Sequence, residues 1–340
     1  MANYNTQIAD VIVPEVFSPY VIEKIQEQSA LFQSGIATVN PVLNQLITGG
    51  GKTISIPAFK DLVGRSQVLS DTTAMTTNKI SSKEDIACVL YRGNAWSANE
   101  LAGALSGTDP AEVIAGLVAD YWVREEQAIL IDILNGVFGA TSMSGLVQDA
   151  STGVYDGDLI IDAQGKLGDA AGKLTGIVMH SAVRNDLLKK DKSAFETYRD
   201  GKVQYDKYLG YDVIVDDTCP VANGVYTSYL FAKGAVSLGT GTPSALTLTE
   251  TDRDSLASND ILINRRAFVV HPNGLKWVGT SLGATPSDTE LKTGANWERA
   301  SEVKNIGIVQ VKAKIGTVST PEVDTPAGGT GTGEGTGTGT

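Results

Sequence analysis

The run DPAEVIAGLVADYWVREEQAILIDILNGVFG, Asp109 to Gly139, carries the strongest local signal in the chain. Asp109 stands where a helix N-cap belongs and Pro110 suits the first turn. Glu112, at the third helical position, favours the positive end of the helix dipole and can close a capping box. Apolar residues then recur at helical spacing as Val113, Ile114, Leu117, Val118, Tyr121, Trp122, Ala128, Ile129, Ile133, Leu134, Val137 and Phe138. The period holds to Gly139, a natural stop. Roughly thirty residues at about 1.5 Å each make a helix near 45 Å long, more than the centre of a small compact domain accommodates. Asp120, Arg124, Glu125, Glu126 and Asp132 exclude a membrane span. No heptad is kept strictly enough for a coiled-coil arm. The run therefore predicts a long helix lying across a broad sheet.

Upstream, Lys52 to Lys60 and Glu84 to Tyr91 read as two strands around DLVGRSQVLSDTTAMTTNKISSK, a segment rich in Ser and Thr and poor in large apolar groups. No core needs a hairpin with so long a polar connection, so the segment reads as a long flap, functional or disordered. Before its first strand lies TGGGKT, Thr48 to Thr53, which looks like the end of a phosphate-binding loop. The full pattern needs a Gly where Leu46 stands, and a helix after the threonine to face the anion. Ile54-Ser55-Ile56-Pro57 is instead an alternating strand, and the glycines read as a flexible turn feeding it. Earlier still, VIVPEVFSPYVIEKIQEQSALFQSGI, Val11 to Ile36, gives a short extended piece and a helix that Ser18-Pro19 opens and Gly35 ends. Val21, Ile22, Ile25, Leu31 and Phe32 have little beside them in sequence to pack on, which suits an arm that docks elsewhere.

Downstream of Asp158 the texture changes to short alternating elements. DLIIDAQGKLGDAAG is a Gly-containing helix, TGIVMH a strand and SAVRNDLLKK a helix opened by Ser181; YDVIVDD, YTSYLFAKG and ALTLTET are strands. Together they predict an α/β or α+β module with its helices roughly segregated. DILINRRAFVVHPNGLKWVG then gives two strands joined around His271 to Gly274, and NIGIVQVKAKI a last one. Strands after a self-contained insert predict a return to the domain that holds the long helix. The end, PAGGTGTGEGTGTGT, has almost no side chain to bury and reads as a flexible tail.

The bulk numbers exclude several function classes. The chain has 340 residues, enough for one large domain or two ordinary ones, and 42% hydrophobic with 19% charged residues fits a globular protein. The start lacks the basic and apolar regions of a signal peptide, and two cysteines, Cys88 and Cys219, make neither a disulfide framework nor a thiolate cluster. A cytoplasmic site of synthesis follows as the expectation. A net charge of −12, from 27 basic and 39 acidic residues, argues against gripping nucleic acid by counterion release. Of two histidines, His180 and His271, neither has a partner at metal-ligand spacing. Ser142 occupies the position of the first Gly of a hydrolase elbow in SMSG, and Asp156-Gly157-Asp158 lacks the rest of a calcium loop. Asp216 and Asp217 leave a strand as a solvated turn does. No catalytic, cofactor-binding or metal site is assigned, and no cofactor.

Taken in order, VIVPEVFSPYV with QSGI, GGGKTISIPAFKDL, the Asp109 to Phe138 helix, KYLGYDVIVDD, YLFAKGAVSLG and RRAFVVHPNGLKW resemble a tailed-bacteriophage major capsid protein of the Hong Kong 97 type, over about Val11 to Ile315. Each motif is weak alone; their order and spacing carry the resemblance. It implies an N-terminal arm (1–51), an extended loop hairpin (52–91) and a peripheral domain with a spine helix (92–145). An axial domain (146–258), strands returning to the peripheral domain (259–318) and the Gly/Thr-rich tail (319–340) follow.

It further implies a structural, non-enzymatic protein of the virion that self-assembles in the host bacterial cytoplasm. Pentamers and hexamers would form an icosahedral head enclosing double-stranded DNA, without tight or sequence-specific binding and without a membrane. Because the arm begins almost at Met1, either a separate scaffolding protein is expected or this chain is the processed form; a portal protein, with a decoration protein in some members, completes the implied partners. Some members weld subunits by a Lys–Asn bond; Lys60, Lys79 and Lys83 are the loop lysines here, and on a polar flap such lysines read first as solvating charge. Three alternatives stay open: an encapsulin-like shell around cargo enzymes, an envelope or adhesion protein suggested by the tail alone, and a nucleotide-binding enzyme suggested by Gly49 to Thr53 alone.

Overall fold

The computed structural model describes residues 17, 21–22, 34–59, 62, 64–69, 71–72, 74–78, 80, 82–99, 110–200, 203–254, 259–281 and 283–316. The fold is mixed α+β. In chain order, β1 (Ala37–Val39) leads to α1 (Pro41–Thr48), β2 (Thr53–Phe59), β3 (Ser82–Cys88), β4 (Leu90–Asn99) and the spine helix α2 (Pro110–Gly139). Then come β5 (Val147–Val154), α3 (Gly157–Gly165), β6 (Leu174–Met179), α4 (Ser181–Lys190), β7 (Phe195–Asp200), β8 (Val203–Tyr208) and β9 (Tyr211–Val215). The chain closes with β10 (Val221–Ala222), β11 (Val225–Ala232), β12 (Val236–Gly241), β13 (Thr249–Asp254), β14 (Asn259–Pro272), β15 (Leu275–Trp277), α5 (Asp288–Leu291), β16 (Trp297–Arg299) and β17 (Ile308–Lys314).

These strands make three sheets. The first runs β1-β12-β14-β13, with β4 along the other flank of β14. The second has eight strands, β5-β17-β11-β6-β9-β8-β7, with β10 beside β11; the third is β16-β15-β3-β2. β14 is the longest strand at 14 residues, and it anchors the first sheet by pairing with β4 along Asn259 to Phe268.

The spine helix ends at Gly139, where its apolar period stops, and spans 30 residues. Its Asp109 cap lies outside the described residues. The C-terminal half is buried nearly all round, at Ile129, Leu130, Ile131, Ile133, Leu134, Val137 and Phe138. That is how a helix end embedded between elements reads, whereas a helix laid on one sheet keeps a polar flank.

The structure departs from the sequence reading in four places. The run Glu84 to Tyr91 is not one strand: it breaks at Val89, β3 joining the third sheet and β4 the first. β12 and β13 fall within the stretch read as a self-contained insert, yet both pair with β14. The cause for β12 is its glycines. A β-carbon at Gly239 would stand 2.7 Å from Leu43 Cβ, and one at Gly241 2.4 Å from Ile47 Cγ2, so α1 seats its buried face directly on bare backbone. β17, expected to return to the domain holding the helix, lies instead between β5 and β11. Ile308, Val309, Gln310 and Val311 are all buried, the two-faced burial of a central strand. Finally, α4 is capped by His180, whose Nδ1 accepts the Ala182 N–H at 3.0 Å, one residue before Ser181.

Several elements are absent from the sequence reading. α1 carries a complete signature, Asn40 as N-cap, Pro41 at the first turn and Gly49 at the C-cap. The β7–β8 hairpin, the strands β1, β5, β10 and β16 and the short helix α5 are the others. The terminal helix proposed for Ser18 to Gly35 and the Gly/Thr tail lie largely outside the described residues. Within the described part of the arm, Phe17 and Val21 are buried in the chain's own core.

Candidate assembly surfaces

The extended hairpin has a firm root. β2 and β3 pair from Thr53 with Cys88 out to Phe59 with Ser82. Lys52 Nζ donates to the Gly283 carbonyl at 3.0 Å, Tyr91 Oη donates to the Gly51 carbonyl at 3.0 Å, and Asp85 Oδ2 accepts the Gly274 N–H at 2.8 Å. Lys83 Nζ donates to Ser301 Oγ, so this lysine is held at the root and does not reach outward. Lys60 and Lys79 lie outside the described residues.

Beyond the root the loop is exposed among the described residues. Leu62 is 80% exposed, Val68 94%, Leu69 78%, Met75 63% and Ile80 65%. The segment is poor in apolar residues by count, as the sequence implies, but these five face water together. Single exposed apolar side chains are ordinary; a concentration of them on a ribbon marks a surface that meets another molecule.

The second feature is the seam that makes the spine helix a beam. Near its middle, Trp122 Nε1 donates to Asn264 Oδ1 at 2.7 Å, and Asn264 Nδ2 donates to Thr249 Oγ1 at 2.9 Å, crossing from helix to β14 to β13. One helical turn on, Glu126 pairs with Arg266 at 2.5 Å, both nearly buried. The Arg266 guanidinium lies 5.4 Å from the Trp122 ring centre and 5.3 Å from that of Phe268. At the helix C-terminus the partner changes sheet: Phe138 stands 5.8 Å from the Tyr229 ring on β11, and Tyr229 Oη donates to Asn135 Oδ1 at 3.3 Å. One helix therefore ties the first and second sheets together. Lys292 holds Asp132 at 3.1 Å and Arg92 holds Asp288 at 2.6 Å along its flank. Burial raises the Asp132 carboxyl above its ordinary range in spite of Lys292, and burial together with Asp288 raises that of Glu125. The apolar members of this seam were legible in the sequence; Asn264 and Arg266, polar residues inside a strand, gave no signal there.

The residues that the sequence singled out for chemistry are not brought together. Gly50 and Gly51 have φ of +81° and +134°, and Lys52 bonds a carbonyl at the root of the hairpin, so TGGGKT is a turn into β2. Among the described residues no group of three or more His, Cys, Asp or Glu could hold a metal. Cys88 and Cys219 are both free and buried; burial pushes the Cys88 thiol up to about 12 and raises that of Cys219 as well. Asp216 Oδ1 accepts from Thr218, and Asp217 Oδ1 accepts the Ser181 N–H at 3.0 Å, the solvated turn expected of them. No helix among the described residues is long and apolar enough to cross a membrane.

His271, on β14, is fully buried, and burial lowers its pKa from an ordinary 6.5 to about 4. A histidine depressed in the folded state contributes stability above its unfolded pKa and loses it as the pH falls toward the folded value. Between pH 7 and pH 4 this group therefore withdraws on the order of 3 kcal/mol. Denaturation midpoints across that window should fall less steeply in a His271→Gln variant than in the parent chain. Parallel curves would clear His271 of the role.

Comparison with known proteins agrees with the geometry. The family described as Gp13-like, major capsid protein 13-like, matches residues 11–309. The major capsid protein of Bacillus phage SPP1 is 44% identical over 321 residues, covering 91% of this chain and 98% of that one. Among solved structures, the capsid of Ralstonia phage GP4 superposes with a TM-score of 0.58 at 9% identity, over 86% of this chain and 90% of its own. The capsid asymmetric unit of cyanophage Pam1 gives 0.54 at 11% identity, over 86% and 92%. These two share the fold across nearly the whole chain while sharing little sequence. With a spine helix across two sheets, an uncovered apolar hairpin and a family match over most of its length, this chain belongs to the 13-like major capsid proteins of tailed phages and has the Hong Kong 97-type fold.

Proposed function

We propose that the chain forms rings of five and six subunits that close into an icosahedral head around double-stranded DNA, with each Thr53–Cys88 hairpin lying over a neighbouring subunit. The observation that carries this is the hairpin itself. Its root is pinned by four contacts, whereas five large apolar side chains beyond it are exposed among the described residues. Burying them against a second copy is worth roughly 1.5–3 kcal/mol per fully covered side chain, and a ring multiplies the gain.

In this reading the spine helix, the first sheet and the third sheet form the peripheral body, and the eight-stranded sheet is the axial domain. The head encloses DNA without gripping it, which a chain of net charge −12 favours. Assembly in the host cytoplasm, and a scaffolding, a portal and a decoration protein as partners, belong to the same reading, and membership in the capsid family supports them. The role is structural, with no reaction assigned.

The test places charge at the tip. A Val68→Asp, Met75→Asp double variant should melt as the parent does, because both side chains are largely exposed in the subunit. It should form fewer than about one tenth as many closed shells in negative-stain electron microscopy and light scattering, since each buried carboxylate adds a desolvation cost. Normal shells from this variant would remove the hairpin from the interface.

A further inference from the structure

Gln67 sits where the loop has left regular pairing. The last paired residues are Phe59 and Ser82, and beyond them no main-chain pairing joins the two legs among the described residues. A side chain takes over. Gln67 Oε1 accepts the Thr76 N–H at 2.9 Å and the Thr76 hydroxyl at 3.0 Å, and Gln67 Nε2 donates to the Thr76 carbonyl at 2.8 Å. The side-chain amide thus satisfies both main-chain groups of Thr76, as a strand's peptide would. Between this clasp and the root, a β-carbon on Gly64 would stand 3.1 Å from Asn78 Nδ2, so the legs are also close at that point. Leu62 and Ile80 lie on the two legs between the root and the clasp, and Val68 and Met75 are the residues next to Gln67 and Thr76 on the outer side.

We propose that Gln67 is a positioning residue for assembly, clasping Thr76 so that the exposed apolar side chains on either side of it are presented in one geometry to a second copy of the chain. The proposal rests on the hairpin's docking role given above. Subunit stability does not explain the clasp, because all three bonds are exposed and exchange with water at little net gain. What they remove is conformational freedom. A ribbon whose legs are free must be ordered on docking, and that entropic cost comes off every contact in the ring; a ribbon already closed has met it in the free subunit.

The test uses the full chain and follows shell formation against concentration. Gln67→Ala should melt within about 1 °C of the parent, while the concentration at which half the protein is in shells rises about tenfold. Gln67→Glu, which keeps the acceptor and loses the donor, should fall between the two. Gln67→Cys combined with Thr76→Cys separates positioning from side-chain chemistry: reduced, it should assemble as Gln67→Ala does, and oxidised, as the parent does. The native Cys88 and Cys219 are buried and do not compete for this disulfide. Assembly of Gln67→Ala at the parent's concentration overturns the clasp and leaves the docking reading standing, as does a double-cysteine variant that oxidation fails to restore. A parent chain that forms no shells overturns both.

Discussion

Gly136→Val should leave the subunit largely unfolded at temperatures where the parent is intact, and even Gly136→Ala should lower its stability. Gly136 lies in the last turn of the spine helix, and a β-carbon there would stand 2.0 Å from the Leu291 carbonyl oxygen and 2.7 Å from Trp297 Nε1. Neither neighbour can retreat. Trp297 Nε1 already donates to Leu291 O at 2.8 Å, Asn296 Nδ2 holds the Glu290 carbonyl at 2.8 Å, and a capping box between Ser287 and Glu290 fixes the start of α5. The same approach is repeated one turn on, where a β-carbon on Gly294 would meet Gly139 C at 2.4 Å.

Alanine in an open helix position gains about 1 kcal/mol over glycine. Overpacking against rigid backbone costs typically about 1–3 kcal/mol and more when nothing yields, so the clash decides the sign. Gly116, in the same helix with nothing within 4 Å of its β-carbon position, provides the control. Gly116→Ala should raise the denaturation midpoint while Gly136→Ala lowers it. Equal shifts would show that the contact with α5 is softer than its geometry implies.

Arg266→Ala should cost about 3–5 kcal/mol, because it leaves the Glu126 carboxylate buried without its partner. The arginine also loses its stacking on Trp122 and Phe268, which lie on the two elements it joins. A paired substitution distinguishes a burial penalty from lost attraction. Arg266→Met together with Glu126→Leu removes both charges and keeps apolar volume, and it should recover most of the loss, since a buried pair often exchanges for apolar packing at little cost. Denaturant midpoints for the two single variants and the double close the cycle. Simple addition of the single effects would mean that the pair is not coupled. The consequence extends to assembly, because this seam holds the spine helix on the sheet whose neighbour strands lead into the extended hairpin.

Local chemistry made the spine helix, the hairpin and the rejection of a phosphate site legible without a structure. The helical period from Val113 to Phe138 has no competing solution, and Gly139 ends it. In TGGGKT, Leu46 in place of a glycine and a strand after Thr53 were enough, since a phosphate cradle needs both backbone freedom and a helix end. The His180 cap and α1 were also local, and α1 had a full cap signature that could have been read.

Other features are settled by partners far away in the chain. Whether Ile308 to Lys314 joins one sheet or another depends on which two strands leave a gap for a strand buried on both faces, and no window of sequence contains that information. β12 is placed by bare glycine backbone under Leu43 and Ile47, almost two hundred residues earlier. Gln67 looks like any polar loop residue until Thr76 stands opposite. The sequence by itself determined which segments are helix, strand and flap, because periodicity and capping act within a few residues; only the tertiary structure decided which strands share a sheet and which apolar side chains are left facing water, because burial belongs to surfaces that distant segments make together.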